Sequence, residues 1–301
     1  MTNKIKTSAS GFKMPSIGLG TWGMGGRSTA HDPDNDDARD IKAIRYALES
    51  GMTHIDTAEI YAGGYAETLV ARALKDVPRD TYSVATKVPG VHQSETDIVK
   101  SCRASLERLQ LEYADLYYLH WPNHEIPLKE TAQGLIHLRQ EGLIRHYGVC
   151  NFAPETMKRL QDHLDQPIAV NQSHYSLPFR EPEAAGLIEH CAEVGTLFAA
   201  WRPILWHYEG RTGQPGANPW VTGAFPMLEQ VAEQLGKTSV QIAINWLISQ
   251  PNIVTLVKSS TPKNIDEIMG SLGWDMPPEL IEELRRDFPE QFSVSNSVPL
   301  S

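Results

Sequence analysis

The feature that most constrains the fold is a regular alternation of short β-branched or aromatic runs with amphipathic helical stretches. The eight predicted strands are SIGLGTW (16–22), THIDTA (53–58), YSVATKV (82–88), DLYYLHW (115–121), HYGVCN (146–151), IAVNQ (168–172), TLFAAW (196–201) and IVTLVKS (253–259). Helical patterns follow at about 38–50, 66–75, 95–109, 129–141, 155–164, 183–194, 238–249 and 262–269. Parallel strands joined by crossover helices produce this order.

Eight such units in 301 residues predict an α/β fold of the (β/α)8 TIM barrel type. A doubly wound sheet is less consistent with the sequence, because GLGTWGMGG is not followed by the helical pattern that a phosphate loop requires. We expect one domain over residues 1–301, with long loops at the C-terminal face of the barrel. These include a Gly/Pro-rich active-site loop at 204–222; an additional C-terminal helix at 279–287 precedes a mobile tail at 289–301.

Composition narrows the possible partners and the compartment. The formal net charge of −10 disfavours binding to nucleic acid or to an anionic membrane surface, so any bound anion needs a local site. The three cysteines are odd in number and lack metal-ligand spacing, which argues against a disulfide framework or a zinc site. No apolar run reaches membrane-spanning length, and the N-terminal segment has no signal-peptide core. We therefore expect a cytoplasmic protein; the oligomeric state is not indicated.

The acidic segment HDPDNDDARD (31–40) precedes the first helical pattern. Aspartates in this position cap a helix and interact favourably with its positive end. We therefore interpret the segment as the start of a helix or a solvated loop, and we predict no metal site.

Four titratable residues fall where the predicted strands end. Asp56, Lys87 and His120 are late in three consecutive strands, and Tyr61 lies in the loop after Asp56. Each one alone is more often structural, as a hydrogen-bonded histidine, a packed tyrosine or a buried ion pair. Because catalytic residues of these barrels gather at the carboxyl ends of the strands, their joint occurrence predicts a catalytic site.

Several separated motifs resemble the aldo-keto reductase family in order and spacing across nearly the whole chain. They are HIDTAEIYAGGYAE, SVATKV, DLYYLHWP, GVCNF, AVNQSHYS and VKSSTPKNIDE. The resemblance implies a (β/α)8 barrel and a nicotinamide cofactor bound in an extended form at the strand ends. It also implies a catalytic tetrad of Asp56, Tyr61, Lys87 and His120.

The chemistry of carbonyl reduction agrees with this tetrad. Hydride transfer creates an alkoxide, and a tyrosine with a pKa near 10 is a poor proton donor unless a neighbour stabilises its anion. We expect Lys87 to lower the pKa of Tyr61 and Asp56 to keep the lysine charged. His120 would orient the substrate oxygen.

The resemblance also assigns cofactor-binding residues. Relatives hold the nicotinamide amide with a Ser-Asn pair and a glutamine, which here become Cys150, Asn151 and Gln172, although a thiol is the weaker donor. Trp201 takes the place of the aromatic residue that stacks on the nicotinamide ring, and Arg202 is expected near the pyrophosphate. The other implied cofactor contacts are Thr21, Trp22, Asp56, Ile204, Lys258, Ser259, Ser260, Asn264 and Glu267.

The last strand and helix favour NADPH as the cofactor. Lys258, Ser259 and Ser260 adjoin a helix that Thr261 can cap, and together they form an anion pocket suited to an adenosine 2′-phosphate. Asn264 stands where NADP-preferring relatives usually carry arginine, so use of NADH remains possible.

The tryptophans indicate the kind of substrate. Trp22 and Trp121 follow strand ends and are expected to form the walls of an apolar pocket for an aldehyde or ketone, whereas Trp206 and Trp220 belong to the 204–222 loop.

The predicted function is NADPH-dependent carbonyl reduction. An alternative is a nucleotide-sensing regulatory subunit with little turnover, which would not need Tyr61. A hydrolase or isomerase using Asp56 and His120 is disfavoured, because the sequence has no metal-ligand cluster and no nucleophile elbow.

Overall fold

A closed barrel of parallel strands forms the centre of the molecule. The computed structural model describes residues 5–26, 29–204, 219–288 and 299–301, with only the backbone for 219–225. Within these residues, eight strands close the barrel: β3 (Ile17–Gly20), β4 (His54–Asp56), β5 (Ser83–Val88), β6 (Ala114–Leu119), β7 (Ile144–Cys150), β8 (Val170–His174), β9 (Leu197–Trp201) and β10 (Ile253–Val257). The last strand pairs with β3, so the predicted (β/α)8 TIM barrel is confirmed.

Helices surround the barrel. They are α1 (Asp37–Glu49), α2 (Tyr65–Leu74), α3 (Glu95–Leu109), α4 (Leu128–Gln140), α5 (Pro154–Gln161), α6 (Glu181–Ala184), α7 (Leu187–Val194), α8 (Pro219–Leu235), α9 (Ser239–Ile248), α10 (Pro262–Met269) and α11 (Pro278–Asp287). The predicted capping role of the acidic segment is confirmed, because the Asp36 side chain accepts a hydrogen bond from the Arg39 amide at the start of α1. No helix in the described part of the chain is both long and apolar enough to cross a membrane.

The alternation of side chains along β5 shows how the barrel divides its residues. Val84 and Val88 belong to the large apolar cluster between strands and helices, whereas Ala85 belongs to the cluster inside the barrel. Lys87 is two residues after Ala85 and therefore also points inward. One residue of register thus decides that this lysine reaches the barrel interior and not the helical layer.

A β-hairpin that the sequence analysis did not predict covers the other end of the barrel. Its strands are β1 (Ile5–Thr7) and β2 (Lys13–Pro15), and Phe12 and Met14 join the interior apolar cluster. Burial lowers the pKa of Lys6 to about 7. Its ammonium donates to the carbonyl oxygens of Ile248, Gln250 and Ile253. These bonds offset the cost of burying the group and fasten the hairpin to the barrel.

Two predicted boundaries were wrong. The helix predicted at 183–194 is interrupted, because Gly186 adopts a left-handed backbone with φ of +70° and separates α6 from α7. The loop predicted through 222 ends earlier, since α8 begins at Pro219, and no helix was predicted there. The rest of that loop, residues 205–218, lies outside the described residues.

The C-terminal residues contact the barrel face. The tail predicted as mobile, 289–301, lies outside the described residues up to 298. Ser301 donates from its backbone to the Asn151 carbonyl at 3.1 Å, and its own carbonyl accepts from the Ala153 amide at 2.9 Å. Ser301 thus contacts the loop after β7, and the mobility of the tail stays a prediction.

Gly148 in β7 provides a test of interior packing. A Cβ atom at this position would lie 2.5 Å from Cδ1 of the fully buried Tyr118, in a backbone conformation that alanine can adopt. We expect Gly148→Ala to lower the free energy of unfolding by about 1–3 kcal/mol through overpacking. Gly20→Ala is the control, because its Cβ would meet no atom closer than 3.7 Å. Denaturant unfolding of both variants checks the prediction, and equal losses would contradict it.

Candidate active site

A tight turn after β4 brings Tyr61 over the end of the barrel. Asp56 is the last residue of β4, and Tyr61 begins a 3-10 helix that ends at Gly64. Ala62, Gly63 and Gly64 all have positive φ angles of +50°, +62° and +92°. Two glycines make this reversal accessible, and a Cβ at Gly64 would also collide with a neighbouring arginine side chain. The Ala-Gly-Gly segment is therefore a structural requirement of the turn that presents Tyr61.

A buried lysine lies at the centre of the candidate site. Lys87 is fully buried, and its ammonium pairs with the Asp56 carboxylate. It also donates to the Thr57 carbonyl oxygen at 2.8 Å and to the Tyr61 hydroxyl at 3.1 Å. The second oxygen of Asp56 accepts from Gln172 Nε2 at 2.8 Å. All three ammonium protons thus have acceptors, which is the condition under which a protein tolerates a buried lysine.

The electrostatics of this cluster favour a charged lysine and a protonated tyrosine. Burial is the largest influence on Lys87 and lowers its pKa, but Asp56 and the other nearby groups outweigh it and raise the pKa above its usual value. Burial raises the pKa of Tyr61 to about 12, although Lys87 acts in the opposite direction. The expected lowering by Lys87 is therefore present but smaller than the effect of burial, and Tyr61 keeps its proton at neutral pH.

His120 completes the group as a neutral imidazole. Its backbone amide donates to the Val88 carbonyl at 2.9 Å, which places it directly beyond β6. Its ring centroid is 5.7 Å from that of Tyr61 in an edge-to-face arrangement. Burial and then Lys87 hold the pKa of His120 well below its usual value. A neutral imidazole can donate one hydrogen bond, and Nδ1 has no partner among the described residues.

Four aromatic rings contact one another in a row at the site, in the order Trp22, Tyr61, His120 and Trp121, and they form an arc. Trp22 contacts Tyr61 at 5.0 Å between ring centroids, and Trp121 contacts His120 at 4.9 Å. Trp22 is 45% exposed, so the arc reaches the surface. Thr21 supports one end, because its amide and Oγ1 both donate to the Asp56 carbonyl at 3.0 and 3.1 Å. The arc gives the site apolar walls beside polar groups, as ligand pockets require.

The residues expected to hold a nicotinamide amide lie beside the lysine cluster. Cys150 and Gln172 are paired in the register of β7 and β8, and both are buried. Asn151 follows with a positive φ of +61°, and its Nδ2 donates to the His120 carbonyl at 3.4 Å. Its Oδ1 is buried without a partner among the described residues. A buried amide oxygen in this state is suited to accept a hydrogen bond from a ligand.

A stack of three rings positions Trp201. The imidazole of His174 lies between the rings of Phe179 and Trp201, with centroid distances of 4.2 and 4.6 Å. Arg202 adopts a positive φ of +56° and places its guanidinium 5.1 Å from the Trp201 ring, while Ile204 is buried. His174 and Phe179 were not predicted from the sequence as site residues. The alternation of Gln172 and His174 on the inner face of β8 was the available signal.

The polar residues after β10 form a separate group at the start of α10. Lys258 Nζ donates to Ser260 Oγ at 2.6 Å, and the Thr261 side chain accepts from the Asn264 amide as the cap of the helix. Ser259 is buried and donates from its hydroxyl to the Thr261 carbonyl at 3.2 Å. Glu267 also lies in α10. Trp206 lies outside the described residues, and Trp220 is described only as backbone within α8.

A sequence model of the Aldo/keto reductase family matches residues 16–286. The chain belongs to this family. A relative named aldo-keto reductase from Mycolicibacterium smegmatis is 35% identical over 260 residues, which cover 85% of this chain and 82% of the relative. This aldo-keto reductase is therefore an oxidoreductase.

Two solved structures support the assignment to this family. The thermostable aldo-keto reductase Tm1743, crystallised with the inhibitor epalrestat, is 33% identical with a TM-score of 0.85, and the match covers 93% of this chain and 98% of that one. An aldo-keto reductase from Klebsiella pneumoniae, crystallised with NADPH, is 30% identical with a TM-score of 0.84 over 98% and 99% of the two chains.

The stacked histidine predicts a pH dependence of stability. Burial and then Arg202 lower the pKa of His174 to about 3, below the value of about 6.5 expected in the unfolded chain. Its contribution to stability is complete above pH ~6.5 and is lost as the pH falls toward the folded pKa, by up to about 1.4 kcal/mol per pH unit. His174→Phe keeps a ring in the stack and removes this titration. Denaturant unfolding at pH 7 and pH 5 should show that the free energy of unfolding falls less on acidification in the variant than in the wild type. An equal fall in both proteins would show that the titration of His174 does not cause the loss.

Proposed function

We propose that this aldo-keto reductase transfers hydride from NADPH to an aldehyde or ketone and that Tyr61 donates the proton to the forming alcohol. The main support is the contact of the Tyr61 hydroxyl with the Lys87 ammonium, which is itself paired with Asp56. This arrangement stabilises the phenolate that remains after the proton leaves. The hydride is the chemistry that NADPH supplies when it is bound.

The roles of the tetrad follow from charge and burial. The substrate oxygen lies between the Tyr61 hydroxyl and the neutral His120 imidazole, and both donate hydrogen bonds to it. Charge then develops on that oxygen, and these fixed donors stabilise it. Tyr61 transfers its proton to the oxygen, Lys87 stabilises the tyrosinate, and Asp56 keeps the lysine charged and in place.

The cofactor residues of this chain fit a dinucleotide. The buried Oδ1 of Asn151 has no partner within the described part of the chain, and Cys150 and Gln172 lie beside it for the nicotinamide amide. The Trp201 ring, which we assign to the nicotinamide ring, stacks on His174, and Arg202, with its guanidinium over the indole, is assigned to the pyrophosphate. Other assigned contacts are Thr21, Trp22, Asp56, Ile204, Ser259, Asn264 and Glu267. NADPH is favoured because the Klebsiella pneumoniae relative was crystallised with it and because Lys258 and Ser260 adjoin the capped start of α10.

The assigned substrates are neutral carbonyl compounds with apolar surface. Trp22 and Trp121 flank the two residues assigned to bind the substrate oxygen. Indole walls favour aldehydes and ketones that carry a hydrophobic group, because burial of that group contributes to binding.

Tyr61→Phe tests the proton donor. The change removes the hydroxyl and little volume, so we expect turnover with aldehydes to fall by about 10²–10⁴ while NADPH still binds. NADPH consumption with a panel of aliphatic and aromatic aldehydes measures turnover, and a titration of NADPH fluorescence measures affinity. Unchanged turnover in the variant would reject Tyr61 as the acid. Tight NADPH binding by the wild type without turnover of any carbonyl would favour the nucleotide-sensing alternative.

Lys258→Ala tests the choice of cofactor. We expect the dissociation constant for NADPH to rise much more than that for NADH, because only NADPH carries the 2′-phosphate that a lysine would neutralise. NADH serves as the matched control ligand on the same variant. Equal losses for both cofactors would show that Lys258 does not contact the 2′-phosphate.

A further inference from the structure

The indole of Trp121 lies against a backbone position that has no side chain. Gly90 begins the 3-10 helix Gly90–His92 that follows β5. A Cβ atom on Gly90 would lie 2.4 Å from Trp121 Nε1 and 2.8 Å from Cδ1, and the third nearest atom would be Cε2 of the same ring at 3.4 Å. Real Cβ atoms do not approach other atoms so closely, so any side chain at this position forces the indole to move.

Backbone flexibility does not explain the glycine. The φ angle of Gly90 lies outside the left-handed region, so an L-residue can adopt this conformation without strain. Glycine is therefore required at this position because the absence of a side chain leaves room for the Trp121 indole.

Hydrogen bonds hold both segments in place. Asn123 Nδ2 donates to the Gly90 carbonyl at 2.8 Å, and Gln93 Nε2 donates to the Trp121 carbonyl at 2.9 Å. Gln93 is buried, and its own carbonyl accepts from Thr131 Oγ1 at 2.9 Å. Neither loop can withdraw without breaking these bonds, so a displaced indole has to move relative to both.

The indole of Trp121 also contacts the candidate site. The centroid of the His120 ring is 4.9 Å from that of the indole, and the centroid of the Tyr61 ring is 5.7 Å from that of His120. An indole displaced by a side chain at position 90 therefore changes its packing on His120 and the space beside the two groups assigned to the substrate oxygen.

We propose that Gly90 determines substrate size by letting Trp121 lie back against the loop after β5. This inference rests on the proposed reductase function. Bulky aromatic carbonyl compounds are accepted because the indole occupies the space that a side chain at position 90 would fill. Small straight-chain aldehydes need less of this space and depend less on Gly90.

The test compares Gly90→Ala, Trp121→Phe and the double variant, each with propanal and with 2-naphthaldehyde. We expect Gly90→Ala to lower the ratio of kcat/KM for the bulky over the small aldehyde by about 10-fold or more, the size of effect that one added carbon produces in a close-fitting pocket. The KM for NADPH should not change. Trp121→Phe alone should raise the ratio, since the smaller ring leaves more room.

The double variant separates a pocket effect from a general disturbance. If Gly90→Ala acts through the indole, adding Trp121→Phe removes the clash and brings the ratio back toward that of Trp121→Phe alone. A ratio equal to that of the wild type in Gly90→Ala would overturn the proposal, and so would a loss that persists in the double variant. If the wild type reduces neither aldehyde, the reductase function is what fails. The affinities of the wild type and of Gly90→Ala for the same two aldehydes are then measured by quenching of tryptophan fluorescence. A weaker affinity for the bulky aldehyde alone supports the role of Gly90, and unchanged affinities overturn it.

Discussion

The buried pair of Lys87 and Asp56 is the interaction on which the rest of the site depends. Removing an ammonium and a carboxylate from water costs several kcal/mol for each ion, and the cost is offset only when both ions find close partners. Here the lysine also donates to the Thr57 carbonyl and to Tyr61, while Gln172 donates to the carboxylate. The pair is therefore stable only if β4, β5 and β8 are in register, and a closed barrel provides that register.

The two ends of the barrel have different roles, since one contributes to stability and the other carries the proposed chemistry. At one end, the N-terminal hairpin covers the interior, and Phe12 and Met14 belong to the apolar cluster there. The Lys6 ammonium donates to the Ile248 carbonyl oxygen at the end of α9. At the other end, the strands finish in polar residues and in loops held by glycine turns. The aromatic arc and the Trp201 stack add walls whose positions depend on neighbours that take no part in the proposed reaction, such as His174. The proposed selectivity through Gly90 is a further case of this dependence.

Much of the fold could be predicted, because each strand carries a local apolar pattern and parallel strands follow one another around a barrel. The convergence of Asp56, Lys87 and His120 followed from their places at strand ends. The hairpin could not be predicted, since its stability comes from long-range contacts of Phe12, Met14 and Lys6. The role of Gly90 could not be predicted for a similar reason, because Trp121, the residue that occupies the space beside it, is 31 positions away in the chain. The break at Gly186 was missed because the apolar spacing continues through it.

In the proposed mechanism, Lys87 acts on the reaction through Tyr61. The most direct test is the rate of hydride transfer in a single turnover at saturating NADPH, measured for the wild type, Tyr61→Phe, Lys87→Met and the double variant. Residues that act as a unit give strongly non-additive losses. We therefore expect the double variant to be no slower than Tyr61→Phe alone. Losses that multiply in the double variant would show that Lys87 acts independently of Tyr61 and would reject the proposed role of the lysine.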